Sequence, residues 1–253
     1  MTSFRDLHRA GEPLVLPNAW DAASARVVER AGALAIATTS AGVAWSLGVP
    51  DGDRLDPAAA AEHVARIVAA VDVPVTADIE SGYGDVAATV RGVLAAGAVG
   101  VNLEDDAARR PERYAAARAV ADSDVLFVNA RIDTYLLSVG DPAARLDETV
   151  ARAAEYLDAG ADGIFVPGVA DPSVIAELVQ RIPAPLNVMV GPGSPTVAEL
   201  GRLGVRRVSA GAGIALAAYS VVAAAAAELL TFGTYDKIAA DLTHGDLNAY
   251  FAH

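Results

Sequence analysis

The sequence predicts an α/β fold, a closed (β/α)8 TIM-type barrel, and three observations carry that prediction. Short β-branched or apolar runs alternate with Ala-rich stretches of helical spacing, the alternation that produces a parallel sheet. Eight such runs can be counted, more than an open doubly wound sheet usually holds. Glycines and Asp-Pro pairs punctuate the intervals where helices should stop and start.

Taken in order, the strands are expected at Leu14–Pro17, Leu34–Ser40, Val73–Ile79, Val99–Glu104, Val125–Ile132, Gly163–Val166, Leu186–Val190 and Arg207–Ala210. Asp56-Pro57, Asp141-Pro142 and Asp171-Pro172 each put a capping Asp before Pro at a first helical position. Gly32, Gly97 and Gly160, each between alanines, sit where a helix ends before the next strand. No linker or low-complexity tract divides residues 1–253, which read as one barrel domain with residues 214–253 as a C-terminal helical extension. That extension is expected either to pack against another subunit or to cap the barrel floor.

Composition narrows the function. With 19 Lys plus Arg against 32 Asp plus Glu, the net charge is −13, which argues against the clustered cations of a nucleic-acid footprint. Lys237 is the one lysine, far along the chain, so a barrel lysine forming a Schiff base is excluded. The absence of cysteine excludes disulfides, thiolate nucleophiles and zinc-thiolate sites, and suits a reducing cytoplasm. Met1 to Ala10 lacks an apolar signal region, and the apolar run Val221 to Ala227 is far shorter than the ~18 residues of a bilayer span. The expectation is a cytoplasmic protein without nucleic-acid or membrane partners.

Side chains alternate across a strand, and barrel active sites form at the C-terminal strand ends. In the third strand Val75, Ala77 and Ile79 share the outward parity, which turns Asp78 and Glu80 toward the barrel mouth. The same alternation turns Asn102 and Glu104 inward in the fourth strand and Asn129 and Arg131 inward in the fifth. Converging carboxylates repel unless protons or a cation hold them. With oxygen ligands alone, the ion expected at Asp78, Glu80 and Glu104 is Mg²⁺, or Mn²⁺. Arg131 is then free for bidentate capture of a substrate carboxylate. A single such acid could equally cap a helix or pair with a rim arginine; four residues of matching parity point to a site.

The second strand runs into Thr38-Thr39-Ser40-Ala41-Gly42, whose backbone amides could approach an anionic oxygen, or which could simply be a turn. Asp51 stands in a Pro-Asp-Gly turn signature. The glycine runs 191–194 and 211–213 follow strands seven and eight, where many barrels bind phosphate. His8, His63, His244 and His253 are read as surface residues without a catalytic part, while Asn187 and Met189 face inward and line the pocket.

These residues resemble a known family. Pro17 to Ala25, Thr38 to Gly42, Leu47 to Gly52, Ala77-Asp78-Ile79-Glu80-Ser81-Gly82-Tyr83-Gly84, Asn102 to Asp105 and Asn129 to Asp133 are similar, in order, to the isocitrate lyase/phosphoenolpyruvate mutase superfamily. The acid-x-acid-x-Gly-Tyr-Gly segment is the most specific part. The resemblance implies a (β/α)8 barrel, a homo-oligomer (tetramer or dimer) with exchanged helices, and Mg²⁺-dependent lyase chemistry on a small 2-oxo or 2-hydroxy acid through an enolate. It implies that Asp78 holds the metal, with Glu80 and Glu104 around it, and that Asp51 holds the metal's waters. Arg131 would contact the enolate oxygen, and Thr39, Ser40 and Ala41 would bind the substrate carboxylate.

Two departures shape the expected reaction. Glu104-Asp105-Asp106-Ala107-Ala108-Arg109-Arg110-Pro111 leads almost directly into a helix, with neither the lyases' cysteine motif nor a mobile lid, and Pro167 stands where many members end strand six in histidine. Carbon–carbon cleavage of the isocitrate type needs that proton donor and that exclusion of water. Decarboxylation or hydrolysis of an oxaloacetate-like substrate is the expectation; a catalytically silent 2-oxo acid binding protein and a phosphate-binding barrel enzyme are the alternatives.

Overall fold

The computed structural model describes residues 3–9 and 11–252; Met1, Ala10 and His253, part of the expectations above, lie outside the described residues. The chain begins α1 (Phe4–Leu7), β1 (Leu14–Leu16), β2 (Asn18–Ala19), α2 (Ala22–Arg30), β3 (Ile36–Thr38), α3 (Ser40–Ser46), α4 (Pro57–Ala70) and β4 (Val75–Asp78). It continues α5 (Val86–Ala95), β5 (Gly100–Glu104), α6 (Pro111–Arg118), β6 (Phe127–Arg131), α7 (Arg145–Asp158) and β7 (Gly163–Val166). It ends α8 (Pro172–Arg181), β8 (Leu186–Met189), α9 (Val197–Leu203), β9 (Arg207–Ser209), α10 (Gly213–Phe232) and α11 (His244–Phe251).

All sheet neighbours are parallel, in the order β1-β9-β8-β7-β6-β5-β4-β3-β2. The first expected strand is in fact two, because Pro17 has no N–H for the ladder and divides it. Its first piece pairs Leu14 with Arg207 and its second pairs Asn18 with Ala37. One extended segment thus bonds to the last strand on one side and to β3 on the other, closing a TIM-type barrel. Outward side chains such as Ala77, Val101, Leu103, Val128 and Ile164 are fully buried against the helices. Each large aliphatic there contributes ~2 kcal/mol.

Asp56 and Asp171 cap as expected, accepting from Ala59 N at 3.2 Å and Ser173 N at 2.8 Å. Asp141 does not: it accepts from Ala143 N at 3.0 Å within a turn, and α7 starts later, at Arg145. Gly32, Gly97 and Gly160 end their helices with φ of 100°, 96° and 102°.

The floor is closed by α1 rather than by the C-terminal extension. Phe4 and His8 pack on Phe127, the His8 ring stacked at 4.1 Å. His8 and His63 are therefore buried, not surface residues; His63 Nε2 meets the Trp20 carbonyl at 2.6 Å. The extension instead folds back on α2, where Arg30 lies 5.8 Å over the Tyr250 ring. Helix α10 is more apolar on average than its uninterrupted apolar runs indicate. Its 20 residues have a mean hydropathy of 1.8 over the most apolar stretch, so it is long and apolar enough to cross a bilayer. Contiguous apolar runs missed this because Tyr219 and Ser220 interrupt them without lowering the average. Leu216, Val221, Val222, Leu229 and Phe232 are all exposed on it.

Candidate active site

The ladder sets the site. Asp78 is level with Asn102, Asn102 with Asn129, and Glu104 with Arg131. All project inward because the alternate residues of β4, β5 and β6 are spent on the apolar layer.

Above them lies a cavity of about 460 Å³ at the C-terminal end of the barrel. Thr39, Ser40 and Ala41, Asp51, Asp78, Asn102 and Arg131 line one side. Phe165, Pro167, Met189 and Leu216 form an apolar wall opposite, and both glycine runs reach the rim. The expected turn at Thr39-Ser40 proves to be the opening of α3, with Thr39 as N-cap. Its first amides lack intrahelical acceptors; that of Ser40 points to Asp78 Oδ2 at 3.4 Å.

Three expected site residues are placed differently. Glu80 leaves the strand parity because β4 ends at Asp78 and Glu80 itself is left-handed, φ 49°. Its Oε2 accepts from Gly52 N at 3.0 Å and from Asp53 N, tying the two loops together. Arg131 is not free: Nη1 meets Glu104 Oε2 at 2.6 Å and Nε meets Asp133 Oδ1 at 2.7 Å, although its edge still lines the cavity. Asn187 is fully buried beneath the cavity, its amide spent on Val188 O, Ser209 Oγ and Asn129.

Burial raises the Asp78 carboxyl above its usual range, against the pull of Arg131. Burial also lifts Glu80 to about 7, with Asp51 and Asp78 adding repulsion. Glu104 is raised by burial too, while Arg131 opposes the shift. Burial works against the charge of Arg131, but Glu104, Asp133 and Asp78 together outweigh it and raise its pKa. Below them Arg207 is lowered to about 9 by burial, which still leaves it charged at neutral pH.

Among the described residues no three His, Asp or Glu side chains form a ready-made metal cluster. The donor set nevertheless fits Mg²⁺, which keeps several waters and takes few protein carboxylates. Asp78 faces the cavity with Asp51 beside it, and Glu80 Oε1 is buried with no hydrogen-bond partner among the described residues. Asn102, Asn18 and Ser209, not singled out as binding residues from sequence, come close to the site; Asn102 carried the signal in its inward parity.

A barrel with this constellation at its mouth belongs to a recognisable class of lyases and mutases. The phosphoenolpyruvate phosphomutase family model matches residues 4–230, and the chain belongs to that family, within the isocitrate lyase/phosphoenolpyruvate mutase superfamily. It is 43% identical over 239 residues to an uncharacterised protein of Mycobacterium tuberculosis (strain ATCC 25618 / H37Rv), covering 90% of this chain and 91% of that one. It is 31% identical over 236 residues to oxaloacetate decarboxylase of Bradyrhizobium sp. (strain ORS 278), covering 87% and 77%. The crystal structure of a phosphonopyruvate hydrolase with oxalate and Mg²⁺ superposes with a TM-score of 0.82 at 25% identity, covering 97% and 92%.

Proposed function

We propose that this chain is a Mg²⁺-dependent lyase-like enzyme that breaks a carbon–carbon bond of a small 2-oxo or 2-hydroxy acid through an enolate, with decarboxylation or hydrolysis of an oxaloacetate-like compound as its reaction. The observation that carries the reading is the convergence of Asp78, Arg131, Asp51 and the opening amides of α3 on one cavity. The oxaloacetate decarboxylase and the oxalate-bound hydrolase among the similar proteins support it.

Asp78 would hold the ion, with Asp51, Glu80 and Glu104 around its waters, and Mn²⁺ would fit the same oxygen donors. When bound, the metal supplies a Lewis acid for the carbonyl oxygen of the substrate. The chain's own residues do the rest. The amides of Ser40 and Ala41 at the start of α3 bind the substrate carboxylate, with Thr39 shaping the turn. As the carbon–carbon bond breaks, its electron pair moves into the enolate and carbon dioxide leaves. Arg131, held rigid by Glu104 and Asp133, presents its charge to the enolate oxygen. Phe165, Pro167 and Leu216 keep bulk water from the opposite side, and a water at the mouth returns the proton to carbon.

The exposed apolar face of α10 supports a homo-oligomer, a tetramer or dimer, in which that helix is covered by another subunit. The cysteine-free composition suits the cytoplasm as its place of work. Calorimetric titration of oxalate, a planar mimic of an enolate, tests the site: binding with Mg²⁺ and none after chelation is expected. Asp78→Ala should lower metal-dependent binding and turnover by a factor of about 10³ or more while the thermal midpoint holds; retained turnover overturns the assignment.

A further inference from the structure

Beneath the cavity three asparagines, on β5, β6 and β8, bond in a row. Asn129 Nδ2 donates to Asn102 Oδ1 at 2.9 Å and to Asn187 Oδ1 at 3.1 Å. From β9 the Arg207 guanidinium, 1% exposed, donates through Nη2 to the same Asn102 Oδ1 at 3.0 Å. A guanidinium has donors and no acceptor, so the Asn102 atom that faces it must be oxygen. Both lone pairs of that oxygen are then used, and the amide cannot turn over without setting N–H against N–H. Its Nδ2 has no hydrogen-bond partner among the described residues, yet it is not sealed in the interior, and Asn102 lines the cavity. It stands level with Asp78 across the ladder and one inward position below Glu104.

We infer that Asn102 is a binding residue of the cavity floor, donating from Nδ2 to an unprotonated oxygen of the ligand, and that Arg207 is the positioning residue that holds the amide in this sense. The inference rests on the enolate reading above and sharpens it toward 2-oxo acids. An oxo, enolate or carboxylate oxygen accepts this donor with nothing left over. A hydroxyl in the same place brings a proton for which Asn102, its oxygen already spent, has no acceptor.

Calorimetry with oxalate and Mg²⁺ is the test. Asn102→Asp is isosteric and keeps both acceptors for Arg207 and Asn129 while replacing only the donor that faces the cavity. It should weaken oxalate binding about 10- to 100-fold, the value of one hydrogen bond to a charged group, with no fall in thermal midpoint. Asn102→Ala, which adds no charge, should lose a comparable factor, separating the missing donor from repulsion. Arg207→Met releases the amide and should weaken oxalate severalfold, whereas Arg207→Lys, again a donor only, should restore most of the loss. Pyruvate should compete with oxalate better than lactate in the wild type, and this preference should vanish in Asn102→Ala. If both Asn102 variants bind oxalate within twofold of a wild type that binds it, this inference fails alone. If the wild type binds no oxalate with Mg²⁺, the enolate reading fails and takes the inference with it.

Discussion

At the barrel mouth Asp78, Glu80, Glu104 and Asp133 each meet at least one donor, whereas at the floor several buried polar atoms have no hydrogen-bond partner among the described residues. Glu104 and Asp133 share Arg131, and Glu80 takes two loop amides. At the floor Phe4, Leu14, Leu16 and Phe127 make a small apolar cluster. His8 Nε2, Thr76 Oγ1 and two nitrogens of Arg207 are buried there without hydrogen-bond partners among the described residues. The same two-residue alternation builds both layers, so the difference lies in pairing. Paired charges make the mouth stiff and hold reactive groups in place; isolated polar atoms make the floor a costly layer, since each such group forfeits ~1–3 kcal/mol.

Breaking the pairing at the mouth should have the largest effect. Arg131→Met strands the buried Glu104 and Asp133 carboxylates and should cost about 3–5 kcal/mol in urea unfolding at pH 7. That loss should shrink as pH falls and the carboxylates take up protons. A steric intrusion at the floor should come next. A Cβ on Gly100 would lie 3.0 Å from Phe4 Cε1 and Thr76 Oγ1 and 3.1 Å from the Phe127 carbonyl. Gly100→Ala should therefore destabilise by about 1–3 kcal/mol while leaving oxalate affinity alone.

His8 offers a pH test of the floor. Burial first, then the charges of Arg207 and Arg5, lower it from 6.5 to about 3, against the hydrogen bond to the Phe4 carbonyl. Between those values the unfolded chain binds a proton that the folded chain refuses. Stability from this residue is thus full above 6.5 and drains as pH falls toward 3, at up to ~1.4 kcal/mol per pH unit. His8→Phe should flatten that part of the stability–pH curve, measured by chemical unfolding; an unchanged slope would show that His8 does not contribute. The smallest effect is the reverse in sign. Thr76→Val removes an unpartnered hydroxyl at constant shape and should leave stability unchanged or raise it by about 1 kcal/mol.

Much of this was readable from residues alone, and what was not has physical causes. Parity placed Asp78, Asn102, Glu104 and Arg131 because a strand's alternation is strict while the strand lasts. It misplaced Glu80, one step after β4 had ended and the backbone had turned left-handed. Arg131 looked free because Asp133, two residues on, and Glu104, on the next strand, become its partners through hydrogen bonds that no local pattern encodes. Pro17 held the signal for the broken first strand, since a residue without an N–H leaves a gap in a ladder. Burial of His8 depends on a four-residue helix folding under the barrel. The part given to Asn102 needs the distance to Arg207, which lies 105 residues further along the chain.

The split at Pro17 bears on how the molecule is made. The stave containing Leu14 and Asn18 leaves the ribosome well before one of its two neighbours, β9. Until residues 207–209 emerge, β1 presents an open edge, the kind of surface on which separate chains pair with one another. Closure waits for β9 and joins strands far apart in the sequence. A chain interrupted before Arg207 keeps that edge open however complete its acidic half, and β9 is the clasp that covers it.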